Sequence, residues 1–86
     1  MAKVLITGVL GQDGAYLAQH ALEHGHEVVG GARGDLTDER LWRLRHLGVA
    51  DQIEFIPFDL GDSALIEQQI KQHRPDFIFN MAAQSS

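Results

Sequence analysis

From residue 3 to residue 17 the chain reads Lys3-Val-Leu-Ile-Thr-Gly-Val-Leu-Gly-Gln-Asp-Gly-Ala-Tyr-Leu17, with glycines at positions 8, 11 and 14. A short apolar run ends in Thr7-Gly8 and a helix-compatible segment follows at once. The stretch therefore reads as a strand, a tight turn and the start of a helix. Such a turn is suited to holding a diphosphate. The first turn of a helix presents backbone N–H groups with no intrahelical acceptor, at the positive end of the helix dipole, and both favour an anion. Gly8, Gly11 and Gly14 divide the physical work among them. One makes the sharp turn, one lets backbone approach phosphate, and one permits close helix–strand packing. The spacing is GxxGxxG rather than GxGxxG, and three glycines in seven residues also suit a plain tight loop.

Charge elsewhere suits the same ligand. Arg33 follows the second strand candidate, where an acidic residue would contact the ribose 2′-hydroxyl of NAD. An arginine there favours a 2′-phosphate through a forked, charge-assisted contact, so NADP is expected over NAD. Asp35 is placed to meet a ribose hydroxyl or to serve as a solvated loop carboxylate. His24 and His26 flank Gly25 without a third ligand in view, so no metal site is expected there. The chain has no cysteine, which leaves neither a disulfide framework nor a thiolate metal site.

The elements that must position these residues follow from hydrophobic spacing. Asp13 to His24 carries Ala15, Leu17, Ala18, Ala21 and Leu22 as a helical stripe of mostly small side chains, ended by Gly25. Glu27 to Ala32 is a second strand. Its Gly30 and Gly31 mark close approach of a ligand or of the first helix. Thr37 or Asp38 can cap a second helix running to about Leu47, with Leu41, Leu44 and Leu47 on one face and Trp42 packing beside them. Gln52 to Phe58 is a third strand, with Pro57 suiting an outer position. Asp62 or Ser63 can cap a third helix through His73, with Leu65, Ile66 and Ile70 facing inward. Asp76 to Met81 forms a fourth strand after Pro75. This βα alternation implies a parallel sheet with right-handed crossovers. The expected fold class is α/β, the N-terminal half of a Rossmann-like doubly wound sheet in strand order 3-2-1-4, with helices on both faces. The fourth strand would be an edge, yet Phe77-Ile-Phe79 is continuously apolar, as interior strands are. The sequence thus looks cut where the topology would switch, or else an amphipathic partner or a second copy covers that edge.

At 86 residues the chain is at most one small domain, able to hide only about 60–65% of its unfolded surface. Seven basic against twelve acidic side chains give a net charge of −5, which offers no general attraction to nucleic acid or anionic lipid. No apolar run approaches bilayer-spanning length and no basic leader precedes the first strand, so a cytoplasmic location is expected.

Thr7-Gly-Val-Leu-Gly-Gln-Asp-Gly-Ala-Tyr-Leu-Ala18 resembles the N-terminus of the extended short-chain dehydrogenase/reductases that act on nucleotide sugars. Its Gly-Gln-Asp-Gly-x-Tyr-Leu-Ala form is most similar to the GDP-mannose 4,6-dehydratase family. Three further stretches agree: Trp42-Arg-Leu-Arg-His-Leu-Gly48, Asp59-Leu60 and Asn80-Met-Ala-Ala-Gln-Ser85. The resemblance implies a lyase that removes water from GDP-mannose, giving the 4-keto-6-deoxy sugar through a tightly held NADP. A sister epimerase or reductase for another nucleotide sugar is the alternative within the superfamily, and a non-catalytic nucleotide-binding half-domain the alternative outside it.

The resemblance also carries residue roles. Gly8, Gly11 and Gly14 would surround the pyrophosphate, with Gln12 and Asp13 in the same cofactor loop. Asp13 is expected to turn away from the diphosphate and cap the helix. Asp59 and Leu60 would contact the adenine. Ala82, Ala83 and Gln84 would pass close to the cofactor's ribose, and Ser85 would approach substrate. The family pattern places a second arginine after the one at position 33, where this chain has Gly34. Arg40, Arg43 and Arg45 read as a solvated helix face, which the family sets near a neighbouring subunit, so a homo-oligomer is expected. Catalysis in the family needs a Tyr-x-x-x-Lys. Here the only tyrosine, Tyr16, is followed four positions later by His20. The expectation is therefore a partial NAD(P)-binding domain over residues 1–86, a fragment of a longer enzyme, with no catalytic residues of its own.

Overall fold

The computed structural model of the chain describes residues 1–81. In chain order the elements are β1 (Lys3–Thr7), α1 (Gln12–Glu23), β2 (Glu27–Ala32), α2 (Asp38–His46), a single 3₁₀ turn (Ala50–Gln52), β3 (Ile53–Pro57), α3 (Ser63–His73) and β4 (Phe77–Asn80). The strands form one parallel sheet, as the βα alternation predicts, in the order β3-β2-β1-β4 expected from the glycine turn after β1. Pro57 ends the outermost strand, where its missing N–H leaves no gap in the ladder's interior.

Alternation along β1 sorts the core into two layers. Val4 and Ile6 face a cluster containing Ala15, Ala18 and Ala21 of α1, Leu44 of α2, and Val9, Val28, Val49 and Ile53. Leu5 faces the other way, onto Val29, Ile56 and Phe58, with Ile66 of α3 packed against them. Helices therefore cover both faces. The alanine stripe lets α1 lie close to the sheet, as its small side chains suggest.

The caps follow sequence chemistry. Thr37 caps α2, its hydroxyl accepting from the Arg40 N–H at 3.3 Å. Asp62 caps α3, its carboxylate accepting from the Leu65 N–H at 3.0 Å.

Several expectations are corrected. α1 begins at Gln12 with Gly11 as its N-cap, so Asp13 lies inside the first turn and does not cap. Gly30 and Gly31 are small on account of neighbouring side chains rather than of α1, and Gly31 also lines the cleft described below. A Cβ on Gly30 would stand 2.8 Å from Val9 Cγ1 and 3.0 Å from Ile53 Cγ2, and one on Gly31 would stand 2.8 Å from Phe58 Cβ. The glycines make room for side chains on the two sheet faces. Trp42 is 55% exposed rather than packed with the leucines, and the Arg43 guanidinium lies 4.9 Å from its ring centre. On α3, Ile66 packs inward as expected and Leu65 and Ile70 are half-buried, but Gln69 and His73 are buried more deeply than any of them. The helix is rotated so that Gln69 and His73, one turn apart, meet the protein, with His73 Nδ1 3.8 Å from a Glu54 carboxylate oxygen.

β4 is joined to β1 alone among the described residues, and all four of its residues are exposed. Its ends are fixed to β1. The Lys3 N–H donates to an Asp76 carboxylate oxygen at 2.8 Å, and Thr7 Oγ1 donates to Asn80 Oδ1 at 2.8 Å.

Candidate functional site

A cleft of about 820 Å³ opens beyond the carboxyl ends of β1, β2 and β3. Gly8, Gly11, Gln12, Asp13, Gly14, Arg33, Asp59 and Leu60 all line it, brought together from three separate parts of the chain. Ala82, Ala83, Gln84 and Ser85 lie outside the described residues. Met81, the last described residue, borders the same cleft, and its N–H donates to the Thr7 carbonyl at 2.9 Å.

The glycine bend has a defined geometry. Gly8 leaves β1 in the left-handed region at φ +73°, a conformation glycine adopts without steric cost. Its carbonyl then accepts from the Gly11 N–H at 3.1 Å, which closes the turn. At Gly14 a Cβ would collide with the Gly8 carbonyl oxygen and come within 2.9 Å of Val9 Cα, so only glycine lets α1 start directly against the bend. Gly11 differs. Its φ is −79° and its Cβ position meets only the Gly8 oxygen, at an ordinary 3.5 Å. No side chain caps α1, so its first-turn amides are left for whatever occupies the cleft.

At the far wall the Asp59 carboxylate accepts from the Gly61 N–H at 2.9 Å, which shapes the loop after β3. Arg33 is exposed at the end of β2. Arg40 of α2 also lines the cleft and donates from Nη1 to the Asp35 carbonyl, two residues after Arg33, at 2.6 Å. The solvated-face reading thus fails for Arg40. It fails for Arg43 as well, whose Nη1 donates to the Leu10 carbonyl at 3.0 Å and ties α2 to the glycine bend. Neither role was visible in sequence, because each depends on how α2 docks beside α1. Arg45 alone keeps the surface role, paired with Asp38 at 2.7 Å.

Among the described residues no helix is long and apolar enough to cross a membrane, and no group of three His, Asp or Glu side chains could hold a metal ion.

Comparison with known proteins gives the arrangement its family. The sequence model described as GDP-mannose 4,6 dehydratase matches residues 5–86, nearly the whole chain. The chain belongs to the GDP-mannose 4,6-dehydratase family. It is 38% identical to the GDP-mannose 4,6-dehydratase of Yersinia enterocolitica, over 99% of this chain and 24% of that protein. It is 36% identical to the human enzyme, over 94% of this chain and 23% of the human protein. The chain thus spans about a quarter of the length of these GDP-mannose 4,6-dehydratases. Among solved structures, it resembles the Bordetella bronchiseptica enzyme WbmH in complex with NAD⁺, with a TM-score of 0.74 and 34% identity over 100% of this chain and 27% of WbmH. It also resembles a UDP-glucose 4-epimerase of Thermotoga maritima, with a TM-score of 0.74 and 25% identity over 98% of this chain and 25% of that one. The parallel α/β sheet in the order β3-β2-β1-β4 is Rossmann-like, as these neighbours are.

Proposed function

We propose that this chain is the cofactor-binding N-terminal segment of a nucleotide-sugar dehydratase that converts GDP-mannose to GDP-4-keto-6-deoxymannose with NADP. The observation carrying this reading is the bend from Gly8 to Gly14, which opens α1 without a side-chain cap onto the cleft. The residues present fit a dinucleotide. The glycines bring the amides of the first helical turn to the cleft wall for a diphosphate, and the helix dipole adds to their attraction. Gln12 and Asp13 sit at that mouth, Asp13 favoured there by the dipole whether or not a ligand is bound. Asp59 and Leu60 form the wall for an adenine, and Arg33 meets the adenosine ribose end. Ala82, Ala83 and Gln84 are assigned to the cofactor's ribose and Ser85 to the sugar nucleotide by family resemblance.

When bound, the nicotinamide supplies a hydride acceptor that returns the hydride within one turnover. This chain's own residues bind and orient. The proton-transfer groups of the reaction are assigned to the remainder of a longer, homo-oligomeric cytoplasmic enzyme, so the segment alone is inert.

Calorimetric titration of the chain with NADP and NAD tests the binding reading, and saturable binding of NADP, tighter than NAD, is the expected result. Incubating the longer protein with GDP-mannose and detecting a 4-keto product tests the reaction. A product epimerised at C4 without loss of water would move the assignment to the epimerases.

A further inference from the structure

From the loop that follows β2 we infer that Arg40 is a cofactor-specificity residue, acting with Arg33 as a second cation for the 2′-phosphate of NADP. The inference rests on the cofactor reading above and adds a residue to it. The position after Arg33 is Gly34, held at φ +81°, a conformation in which a residue with a side chain is strained. A second arginine beside Arg33 would therefore be strained in this loop. A Cβ there would also stand 3.4 Å from Arg40 Nη1, so the guanidinium from α2 occupies the neighbourhood that such an arginine would use.

Arg40 is held in place without being used up. Among the described residues its side chain makes one hydrogen bond, to the Asp35 carbonyl at 2.6 Å, which engages one of five guanidinium donors and fixes the head group over the loop. Thr37 caps the backbone N–H of the same residue, which anchors the base of the side chain. The position is otherwise unfavourable for a cation, because Arg40 lies in the first turn of α2, at the positive end of the helix dipole. An anion bound in the cleft that Arg33 and Arg40 both line relieves that repulsion. Nearby Asp38 is already paired with Arg45, at 2.7 Å, and Glu39 is exposed on the same turn.

The test is calorimetric titration of the wild-type chain, Arg40→Ala, Arg40→Lys and Arg33→Ala with NADP and with NAD, circular dichroism confirming the fold of each. Arg40→Ala should weaken NADP by about tenfold or more and leave NAD within about twofold, as loss of a charge-assisted contact requires. Arg40→Lys, which keeps charge but loses the fork, should fall between the two. If Arg40→Ala lowers both affinities equally, or leaves the NADP-to-NAD ratio unchanged while Arg33→Ala lowers it, the inference is wrong and the cofactor reading stands. If the folded wild-type chain binds neither dinucleotide, both fall together.

Discussion

Gly14 and Gly11 look interchangeable in the motif, yet the structure gives them different duties and so different mutational outcomes. A methyl group on Gly14 runs into the Gly8 carbonyl and Val9 Cα, both backbone and neither free to swing aside. Gly14→Ala should push α1 off the bend and cost about 1–3 kcal/mol, read as a lower denaturation midpoint. At Gly11 the same methyl meets nothing closer than 3.5 Å. Gly11→Ala should cost only on the order of 0.5 kcal/mol, since alanine is the poorer N-cap. Its larger effect should be on the ligand, because Gly11 lines the cleft. NADP affinity should drop while the midpoint barely moves. Equal losses of stability in the two variants would show that the bend is no more than a tight loop.

At the scale of elements, Asp62→Ala removes the side-chain acceptor for the Leu65 N–H and should destabilise the chain by about 1 kcal/mol, measurable by urea denaturation. Capping of this kind is local chemistry, which is why Thr37 and Asp62 could be read from a few residues. The parallel sheet was legible in the βα alternation, and its strand order in the glycine turn that follows β1. What depended on packing between distant segments was not. Gly30 and Gly31 are glycines because Val9, Ile53 and Phe58 press on them, and no window of sequence contains those partners together. Burial of Gln69 and His73 on α3 reflects the rotation of that helix about its axis, which a stripe of Leu65, Ile66 and Ile70 specifies poorly. Arg40 entered the cleft for a similar reason: an exposed-looking arginine pattern on α2 does not say which member reaches the loop after β2.

For the molecule as a whole, two surfaces set the expected behaviour. One is β4, where Phe77, Ile78 and Phe79 are 57%, 48% and 41% exposed along an edge with no charge inside it. An apolar edge of this kind associates with other edges. Ile78→Lys should therefore raise the concentration at which the chain stays monomeric in analytical ultracentrifugation, and an unchanged profile would locate the association elsewhere. The other surface is the cleft, whose walls come from the β1–α1 bend, the end of β2, the start of α2 and the loop after β3. The core beneath is small, and such a domain retains little stability in reserve. A dinucleotide touching all four segments binds only when they are assembled, so it must stabilise the fold by mass action. NADP at about a hundred times its dissociation constant should add about 2.7 kcal/mol, which for a chain this size raises the melting temperature by roughly 10 to 20 °C. The shift should grow with the logarithm of ligand concentration and shrink in Arg33→Ala, as binding to the native state alone requires. A shift of the same size with inorganic diphosphate would place most of the binding energy at the glycine bend, and a much smaller one would place it along the wall formed by Arg33, Asp59 and Leu60.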